Sequence, residues 1–503
     1  FAGIALLINN ITGPGVPGLP NMFSEAGWLS PTITFIIVWI MSSVSATMYC
    51  EAMRRIPGNE HFISRLEYTS IVDYYFGRRW YLASQVGLNG ALQSLNIVSV
   101  MQSAQVMDAA IAAITGVSCA VNISPFPTYS DTNHTLIPDS TSFLSCISLD
   151  QLTANNGESN PWGCHLVISI GYAITLAMAI PMGIYNLDDN MIVQVIAFIL
   201  TIGCWLVWFG ASIYYYESAP PVDWSLEAIN STPYGSQAGV LGTILFNFGF
   251  VTTIPSWVNE KKPSVSVNKV VWISTTACIF IFFALGIPGA LAFGDVLQGP
   301  GAGSCKQAYD NSTFNCQNDM MAALTSSPAS KGLHFVLAFS VYLFPIVAIV
   351  SSIPVFSIVI KYNCMENGMS KRFSVFWGVV FPWLVSIPLM YQPSALQQFI
   401  NFSSLIFVSF TDFVVPWGLY IVMLRSDKSL RSMNTVGYIQ DFDINKPAAT
   451  ESDGLLSRGG LNFIEHFAIP PSWGLSSATK SSVSLVLVVL MTLLSIAGTV
   501  LSV

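Results

Sequence analysis

The first apolar segment of the chain is interrupted by Ile11-Thr-Gly-Pro-Gly-Val-Pro-Gly-Leu-Pro20, and a later one by Phe246-Asn-Phe-Gly-Phe-Val-Thr-Thr-Ile-Pro255. Glycine has a low helix propensity, and proline removes a helix hydrogen bond. Inside a bilayer, the freed backbone groups are tolerated only where protein or a water-filled cavity receives them. Broken helices in matching positions of two halves of a membrane protein indicate a binding site near the middle of the membrane.

The composition is that of an integral membrane protein. Of the 503 residues, 52% are hydrophobic and only 9% are charged, with a mean hydropathy of +0.58. A soluble domain carries about 25% charged residues. A membrane-spanning helix needs about 20 apolar residues, whereas the strands of a membrane barrel have about 10 residues of alternating polarity. The long, uniformly apolar runs predict an all-α integral membrane fold and disfavour a barrel.

Eleven segments are apolar enough to span a membrane as helices, and we number them spans 1 to 11. They cover residues 3–26, 30–53, 80–116, 164–185, 190–215, 239–258, 268–293, 333–361, 373–391, 395–424 and 480–503. The sequence starts at Phe1, within an apolar run and without an initiator methionine or a visible signal peptide. We therefore expect a further N-terminal tail in the natural protein.

Basic residues predict the orientation of the chain. With the N-terminus in the cytosol, the inner loops are 54–79, 186–189, 259–267, 362–372 and 425–479. These loops and the adjoining helix ends contain 17 of the 19 Lys and Arg residues, and only Lys306 and Lys331 lie on the other side. The positive-inside rule favours this orientation. The prediction is a multi-pass protein of the plasma membrane or of a vacuolar or lysosomal membrane.

Potential glycosylation sites fall on the outer side of this arrangement. The loop sequons begin at Asn122, Asn133, Asn230 and Asn311, and all four lie in outer loops. Such sequons mark surface loops of proteins that enter the secretory pathway. We therefore predict a glycoprotein whose outer loops face a secretory lumen or the cell exterior.

The cysteines agree with this placement. Cys305 and Cys316 share one outer loop and are the predicted disulfide. A second bond is expected between two of the three cysteines Cys119, Cys146 and Cys164, whose pairing the sequence leaves open. The other four lie within or below the membrane and are interpreted as small apolar residues: Cys50, Cys204, Cys278 and Cys364.

The order of the spans predicts an inverted repeat. Spans 1–5 (residues 1–216) and spans 6–10 (residues 239–424) form two halves of five spans each. Because each half has an odd number of spans, the second half is upside down relative to the first. Residues 425–479 are then a cytosolic loop, either regulatory or a plain linker, and residues 480–503 form span 11.

The break in span 1 offers both kinds of backbone group. Carbonyl groups at the end of its first half suit a cation or an ammonium group, and amides at the start of its second half suit a carboxylate. Such a pair of helix ends matches an amino-acid zwitterion, whereas the alternative is a structural kink. The candidate substrate contacts in this break are Thr12, Gly13, Gly15 and Gly18.

Span 6 repeats the device around Phe248, Gly249 and Phe250. Aromatic rings there can surround a substrate side chain or simply pack, and Thr252 or Thr253 can donate a hydrogen bond. The candidate substrate contacts are Phe248, Gly249 and Thr252.

Span 3 carries a polar stripe at helical spacing: Gln85, Asn89, Gln93, Asn96, Ser99 and Ser103. Spacings of three and four place these residues on one face of a helix. A polar face inside a membrane faces water or other helices. Asn89 and Gln93 are the candidate substrate contacts, with interhelical hydrogen bonding as the alternative.

Asp412 lies within the apolar span 10. A carboxylate inside a membrane is costly, so it is usually functional. We interpret it as a candidate carrier of a coupling proton, the alternative being a solvated residue near the inner surface. Because neither Lys nor Arg lies deep within any span, an anionic substrate is disfavoured.

The run from Leu6 to Trp28, with its Asn-containing apolar stretch, its Gly-x-Gly break, its Leu-Pro and its Ala-Gly pair, resembles the first helix of the amino acid/auxin permease family. This family is part of the amino acid–polyamine–organocation superfamily. The resemblance implies a LeuT-like inverted-repeat fold with broken spans 1 and 6, and ion-coupled transport of amino acids. It also implies that the backbone of Gly13 and Gly15 binds the substrate.

The same resemblance bears on the coupling ion. Asn9 matches an Asn that the sodium-coupled branch uses near its ion. A Thr in helix 8 of that branch has no counterpart here, and Ser340 is the candidate substitute. The expected coupling ion is therefore H⁺ or Na⁺, with Asn9, Ser340 and Asp412 as the ion-coupling candidates.

Two further classes of function compete with a symporter. A sensor or a non-transporting partner subunit would keep the fold and signal through residues 425–479. An enzyme is disfavoured because all five histidines lie in loops or at span ends, and no P-loop pattern is present. No cofactor, metal or nucleic acid is expected. The predicted partners are an amino acid, the lipid bilayer and, as an open option, another protein.

Overall fold

The computed structural model describes residues 1–13, 15–59, 62, 64–123, 143–148, 162, 166–187, 190–218, 225–230, 237–262, 264–294, 297, 305–306, 313–314, 320–327, 330–390, 395–426, 468–469 and 477–502. Most of these residues are helical. Eight helices are long and apolar enough to cross a membrane, and three shorter apolar helices coincide with the remaining predicted spans 1, 4 and 11. The all-α membrane fold is confirmed, while the exact number of spans stays a prediction.

The helices of the first half are α1 (Ala2–Ile11), α2 (Leu19–Ala26), α3 (Leu29–Arg54), α4 (Tyr68–Phe76), α5 (Arg78–Thr115), α6 (Ile170–Ile184) and α7 (Met191–Ser218). Those that follow are α8 (Ala238–Asn247), α9 (Ile254–Glu260), α10 (Val267–Phe293), α11 (Met320–Ser326), α12 (Lys331–Phe344), α13 (Val350–Glu366), α14 (Lys371–Val375), α15 (Phe381–Leu389), α16 (Ala395–Ser403), α17 (Val415–Ser426) and α18 (Ser477–Ser502).

Spans 1 and 6 are each built from two short helices. Span 1 consists of α1, a 3₁₀ turn at Val16–Gly18 and α2, and span 6 consists of α8, a 3₁₀ turn at Val251–Thr253 and α9. Pro20 and Pro255 lie in the first turn of α2 and α9, where the missing amide costs nothing because it would have had no helical partner. The sequence therefore restarts each helix at its proline, and the two predicted breaks are present.

Spans 8, 9 and 10 contain π-helical turns. These turns cover Pro345–Ile349, Phe376–Val380, Ser404–Val408 and Phe410–Val414. Two of them follow one another in span 10, and the second contains Asp412. A π turn leaves backbone groups outside the regular helix pattern and is frequent at functional sites.

A three-stranded sheet joins spans 3 and 4, on the side that the sequence predicts to be the outer one. Strand β1 (Val117–Asn122) pairs antiparallel with β2 (Leu144–Ser148) and with β3 (Val167–Ser169). A disulfide links Cys119 of β1 to Cys146 of β2. This bond resolves the pairing that the sequence left open. A short hairpin is formed by β4 (Cys305–Lys306) and β5 (Thr313–Phe314).

The start of span 4 differs from the prediction. We expected the span to begin at residue 164, but α6 begins at Ile170. The apolar residues Val167–Ser169 are a strand, because they complete the ladder on β1. The Ser169 side chain then caps α6 by accepting a hydrogen bond from the amide of Tyr172.

Charged side chains from other spans stabilise both ends of α6. At its start, the buried Asp108 carboxylate accepts hydrogen bonds from the Gly171 amide and the Ser118 hydroxyl, each at 2.8 Å. At its end, Lys361 donates from Nζ to the carbonyls of Gly183, Ile184 and Tyr185 at 3.1, 2.9 and 2.7 Å. These charges have the signs that favour helix ends.

Replacing the lysine at the end of α6 should lower the stability of the protein. Lys361→Met keeps most of the length of the side chain but removes the donor to three carbonyls, of which that of the buried Gly183 would lose its partner at a cost of about 1–3 kcal/mol. We expect a lower unfolding temperature in detergent, measured with a thiol-reactive dye that reports exposure of the buried cysteines, such as Cys204 and Cys278. Lys371→Met, at an exposed position, is the control. Equal unfolding temperatures of the two variants would contradict the role of Lys361.

Candidate functional site

The break in span 1 lies between the end of α1 at Ile11 and the start of α2 at Leu19. Thr12 closes α1, with both its amide and its hydroxyl donating to the carbonyl of Ile8, at 2.8 and 2.6 Å. Gly13 and Gly15 follow in the non-helical stretch, and Gly18 closes the 3₁₀ turn. The structure therefore places all four span-1 candidates in or beside the break.

The break in span 6 receives a carboxylate from span 10. The amide of Val251, at the start of the 3₁₀ turn, donates to Asp412 Oδ2 at 2.9 Å. The other carboxylate oxygen, Oδ1, accepts from the Thr411 hydroxyl at 3.0 Å. Asp412 is fully buried. The alternative that this residue is a solvated aspartate near the inner surface is therefore wrong, because protein groups surround its side chain.

The two breaks contact each other. A Cβ atom built on Gly15 would lie 2.5 Å from both Nδ2 and Oδ1 of Asn247, the last residue of α8. The Asn247 side chain is held in this position by a 2.9 Å hydrogen bond from Nδ2 to the Thr243 carbonyl. Asn10 Nδ2 lies 3.4 Å from the Thr253 hydroxyl. Glycine is needed at position 15 because the amide of Asn247 occupies the space of a side chain.

Several buried polar atoms at the breaks have no hydrogen-bond partner among the residues that the structure describes. They are Oδ1 of Asn9, Asn10 and Asn247, together with the Thr252 hydroxyl. A buried polar group without a partner costs about 1–3 kcal/mol. Three of these atoms are amide oxygens, which only accept. A ligand that carries N–H donors would satisfy them, and an ammonium group is such a donor.

The other span-6 candidates border the break on different sides. The ring of Phe248 packs at 6.4 Å from that of Phe35 and at 5.7 Å from that of Phe282, measured between centroids. A Cβ atom on Gly249 would lie 3.1 Å from Val408 of span 10. Thr252 is buried in the 3₁₀ turn before α9. Phe248 thus contacts spans 2 and 7, and Thr252 is the candidate with an unpartnered polar atom.

The span-3 candidates contact span 9. Asn89 Oδ1 accepts from the indole nitrogen of Trp377 at 2.7 Å, and Gln93 Nε2 donates to the Trp377 carbonyl at 2.7 Å. Neither side chain has a described hydrogen bond to span 1 or span 6. The interhelical alternative for this part of the stripe agrees with these contacts.

The ion-coupling candidates Asn9 and Ser340 lie in different surroundings. Asn9 Nδ2 donates to the side-chain and backbone oxygens of Gln194, at 2.8 and 3.0 Å. Ser340 instead accepts from the Trp208 indole at 3.1 Å and donates to the Leu337 carbonyl at 2.8 Å. The structure does not bring the two candidates together.

The span-8 groups beside Asn9 come from a later turn. Ser352 donates its hydroxyl to the Asn9 carbonyl at 3.3 Å, and Gln194 Nε2 donates to the Ser351 carbonyl at 2.8 Å. Gln194 therefore links span 1 to span 8. Sequence reasoning missed it, although a glutamine inside the apolar span 5 was a visible signal. It also missed Asn10, which directly precedes the first quoted stretch, and Asn247, which lies within the second.

The modification candidates are only partly described. Asn122 lies in β1, and Asn230 Nδ2 donates to the Ser24 carbonyl at 3.0 Å. Asn133, Asn311 and Cys316, together with the side chain of Cys305, lie outside the described residues. Glycosylation and the Cys305–Cys316 disulfide therefore stay predictions.

The fold is that of LeuT-like membrane proteins. In a comparison with solved structures, 166 chains match. One of them is the LeuT-fold transporter MhsT in complex with L-phenylalanine, with a TM-score of 0.51 and 11% identity over 84% of this chain and 94% of that one. A family model described as "Transmembrane amino acid transporter protein" matches residues 1–126. A sequence search of curated proteins gives no match. The resemblance stated from span 1 and the predicted fold class are thus confirmed.

A methyl group on Gly15 should disrupt the site. Gly15→Ala forces the buried Asn247 side chain to move, and such overpacking costs about 1–3 kcal/mol. We expect amino-acid binding by the purified protein, measured with a radiolabelled panel, to weaken by about tenfold or more. Gly210→Ala, where the added methyl group meets nothing within 4 Å, is the control. Wild-type binding by Gly15→Ala would contradict the contact between the breaks.

Proposed function

We propose that this protein is a secondary active transporter of amino acids that works by alternating access around the breaks in spans 1 and 6. The observation that carries the proposal is the set of buried oxygens at the breaks that have no hydrogen-bond partner among the described residues. The family match over residues 1–126 supports amino acids as the class of substrate. The fold is shared with MhsT, crystallised in complex with L-phenylalanine, and this also supports an amino acid as the ligand.

The proposed substrate is the zwitterion of an amino acid. Its ammonium group would donate to the oxygens of Asn10 and Asn247, which adjoin the C-terminal ends of α1 and α8. Helix C-terminal ends carry partial negative charge and favour a cation. Its carboxylate would bind near the start of α2, next to Gly15 and Gly18. In this arrangement span 1 binds both ends of the molecule, and span 6 adds an oxygen for the ammonium group.

Proton coupling through Asp412 agrees best with the geometry. Its carboxylate accepts the backbone amide that the break in span 6 exposes. A proton on this carboxylate would remove its charge and weaken that hydrogen bond, because bonds to ionised acceptors are about twice as strong. Protonation at Asp412 would therefore act directly on the start of the second half of span 6.

Sodium coupling through Asn9 has less support. The Gln194 side chain lies between span 1 and span 8, where its amide nitrogen donates a hydrogen bond to the Ser351 carbonyl. This carbonyl therefore already has a donor. Backbone carbonyls freed at broken helices are the usual ligands for a coupling Na⁺. Here, the Asn9 carbonyl also accepts a hydrogen bond, from Ser352.

Uptake by proteoliposomes tests the proposed function. The purified protein would be reconstituted, and uptake of a mixed radiolabelled amino-acid panel measured under a proton gradient and, separately, under a sodium gradient. We expect proton-driven uptake that stops when an ionophore collapses the gradient. Binding without uptake under either gradient would contradict transport and favour the sensor or partner-subunit alternative.

Neutralising Asp412 should uncouple uptake from protons. Asp412→Asn keeps an oxygen that can accept the hydrogen bond from the Val251 amide. The asparagine side chain cannot, however, bind or release a proton. We expect the ratio of uptake with and without the proton gradient to fall to about one, while exchange of internal for external amino acid persists. Asp108→Asn, at a second aspartate that is buried among the described residues, is the matched control and should keep the gradient dependence. Gradient-driven uptake by Asp412→Asn would exclude this residue as the proton carrier.

A further inference from the structure

A short stretch of the loop between spans 2 and 3 lies along the half-helix α9. Arg65 Nη2 lies 2.8 Å from Glu260 Oε1 in an ion pair. The Leu66 amide donates to Asn259 Oδ1 at 3.3 Å, and Asn259 Nδ2 donates to the Leu66 carbonyl at 3.1 Å. Residues 65–68, which we name the clasp, thus contact successive residues at the end of α9.

Glu67 is the buried centre of the clasp. Only 4% of its surface is exposed. Its Oε2 accepts a 2.6 Å hydrogen bond from the Ser256 hydroxyl, and its Oε1 accepts from Asn259 Nδ2 at 3.1 Å. Both partners belong to α9, and Ser256 is itself buried. Burying an ionisable side chain is costly unless it is hydrogen-bonded, and the two bonds to α9 meet this need.

The clasp is also linked, through span 10, to the turn that precedes α9. The Tyr68 hydroxyl donates to the Thr411 carbonyl at 2.7 Å, in the π turn of span 10. The next residue, Asp412, accepts the Val251 amide before α9. The Tyr68 ring stacks on that of Tyr49 at a centroid distance of 4.8 Å. Adjacent residues of the clasp are therefore connected directly to α9 and, through span 10, to the turn before it.

We propose that Glu67 is a positioning residue that latches α9 to the loop between spans 2 and 3. Release of its bonds to Ser256 and Asn259 is a required step when the substrate site opens to the inner side. The proposal rests on the alternating-access function proposed above. Opening would move a half-helix of span 6 away from its neighbours, and the clasp contributes hydrogen bonds and an ion pair that bind α9 to one of them.

The charge of Glu67 makes the latch sensitive to pH. Its pKa is raised from 4.5 to about 7, chiefly because burial disfavours the carboxylate. The Ser256 hydrogen bond opposes this shift, and the Glu366 carboxylate adds to it. The charged and titratable groups that face Glu67 are Glu366 and Tyr362 of α13, Tyr49 of α3, and Arg65 with its partner Glu260.

The direction of the pH effect follows from the difference in the pKa of Glu67 between the latched and the released state. The latched state, with a pKa of about 7, binds the proton more tightly than a released, solvated carboxyl group with a pKa of about 4.3. Acid therefore strengthens the latch. The latch weakens as the pH rises towards 7, and its strength is constant above that. The expected change between pH 6 and pH 8 is about tenfold in the latching equilibrium.

Hydrogen–deuterium exchange tests the latch directly. Exchange of the amides of residues 254–260 would be measured for the full-length protein in lipid nanodiscs at pH 6 and pH 8, corrected for intrinsic exchange. In the wild type we expect about tenfold more protection at pH 6. In Glu67→Gln, which mimics the protonated side chain, the amides of residues 254–260 should be protected at both pH values. In Glu67→Ala they should be protected at neither. A wild-type pH response in Glu67→Gln would overturn the proposal.

A matched control and a flux measurement complete the test. Lys262→Gln removes a charge from an exposed residue just beyond the same half-helix and should keep the pH response of residues 254–260. In proteoliposomes, Glu67→Gln should slow uptake and abolish its dependence on internal pH. Uptake indistinguishable from the wild type at every internal pH would overturn the latch as a required step. A wild type without any uptake but with the expected exchange pattern would contradict transport and leave the latch supported.

Discussion

Backbone amides and carbonyls freed at a helix break must find partners within the protein, because the bilayer core offers none. This constraint explains the contacts that the two helix breaks make. The span-6 break gives its first free amide to Asp412. The span-1 break uses a glycine at position 15, so that the side chain of Asn247 can approach its backbone. Among the described residues, the breaks also carry buried oxygens without a hydrogen-bond partner, and these can accept from a polar ligand: those of Asn9, Asn10, Asn247 and Thr252.

Side chains from other spans also provide hydrogen-bond partners for the ends of an unbroken helix, α6. Asp108 stabilises the start of α6, and Lys361 stabilises its end. In each case a charge from another span completes a helix end. Asp108 and Lys361 thus stabilise the ends of a helix in another span, and this role distinguishes them from Asp412. Asp412 contacts a helix start that is also a proposed moving part, so its charge state and its motion are linked.

Local chemistry made part of this molecule predictable. Glycine and proline act on their own turn, so the sequence located both breaks and their neighbours such as Thr12 and Thr252. Helical spacing placed Asn89 and Gln93 on one face but could not predict which helix that face contacts. In the structure both side chains form hydrogen bonds with Trp377 of span 9. Ser340 was chosen by its motif position, whereas Ser352 is the residue beside Asn9. The clasp was not predictable, because residues 65–68 meet α9 only in the folded chain.

The approach of Asn247 to Gly15 also constrains related sequences. The two residues share one small volume, although they lie in different halves of the chain. A relative with a larger residue at the position of Gly15 must therefore carry a smaller one at the position of Asn247, if the breaks still meet. The pair should change together during evolution, and each combination would alter the oxygens that line the site. Divergence at these two positions is thus a route by which related proteins can acquire different ligand preferences.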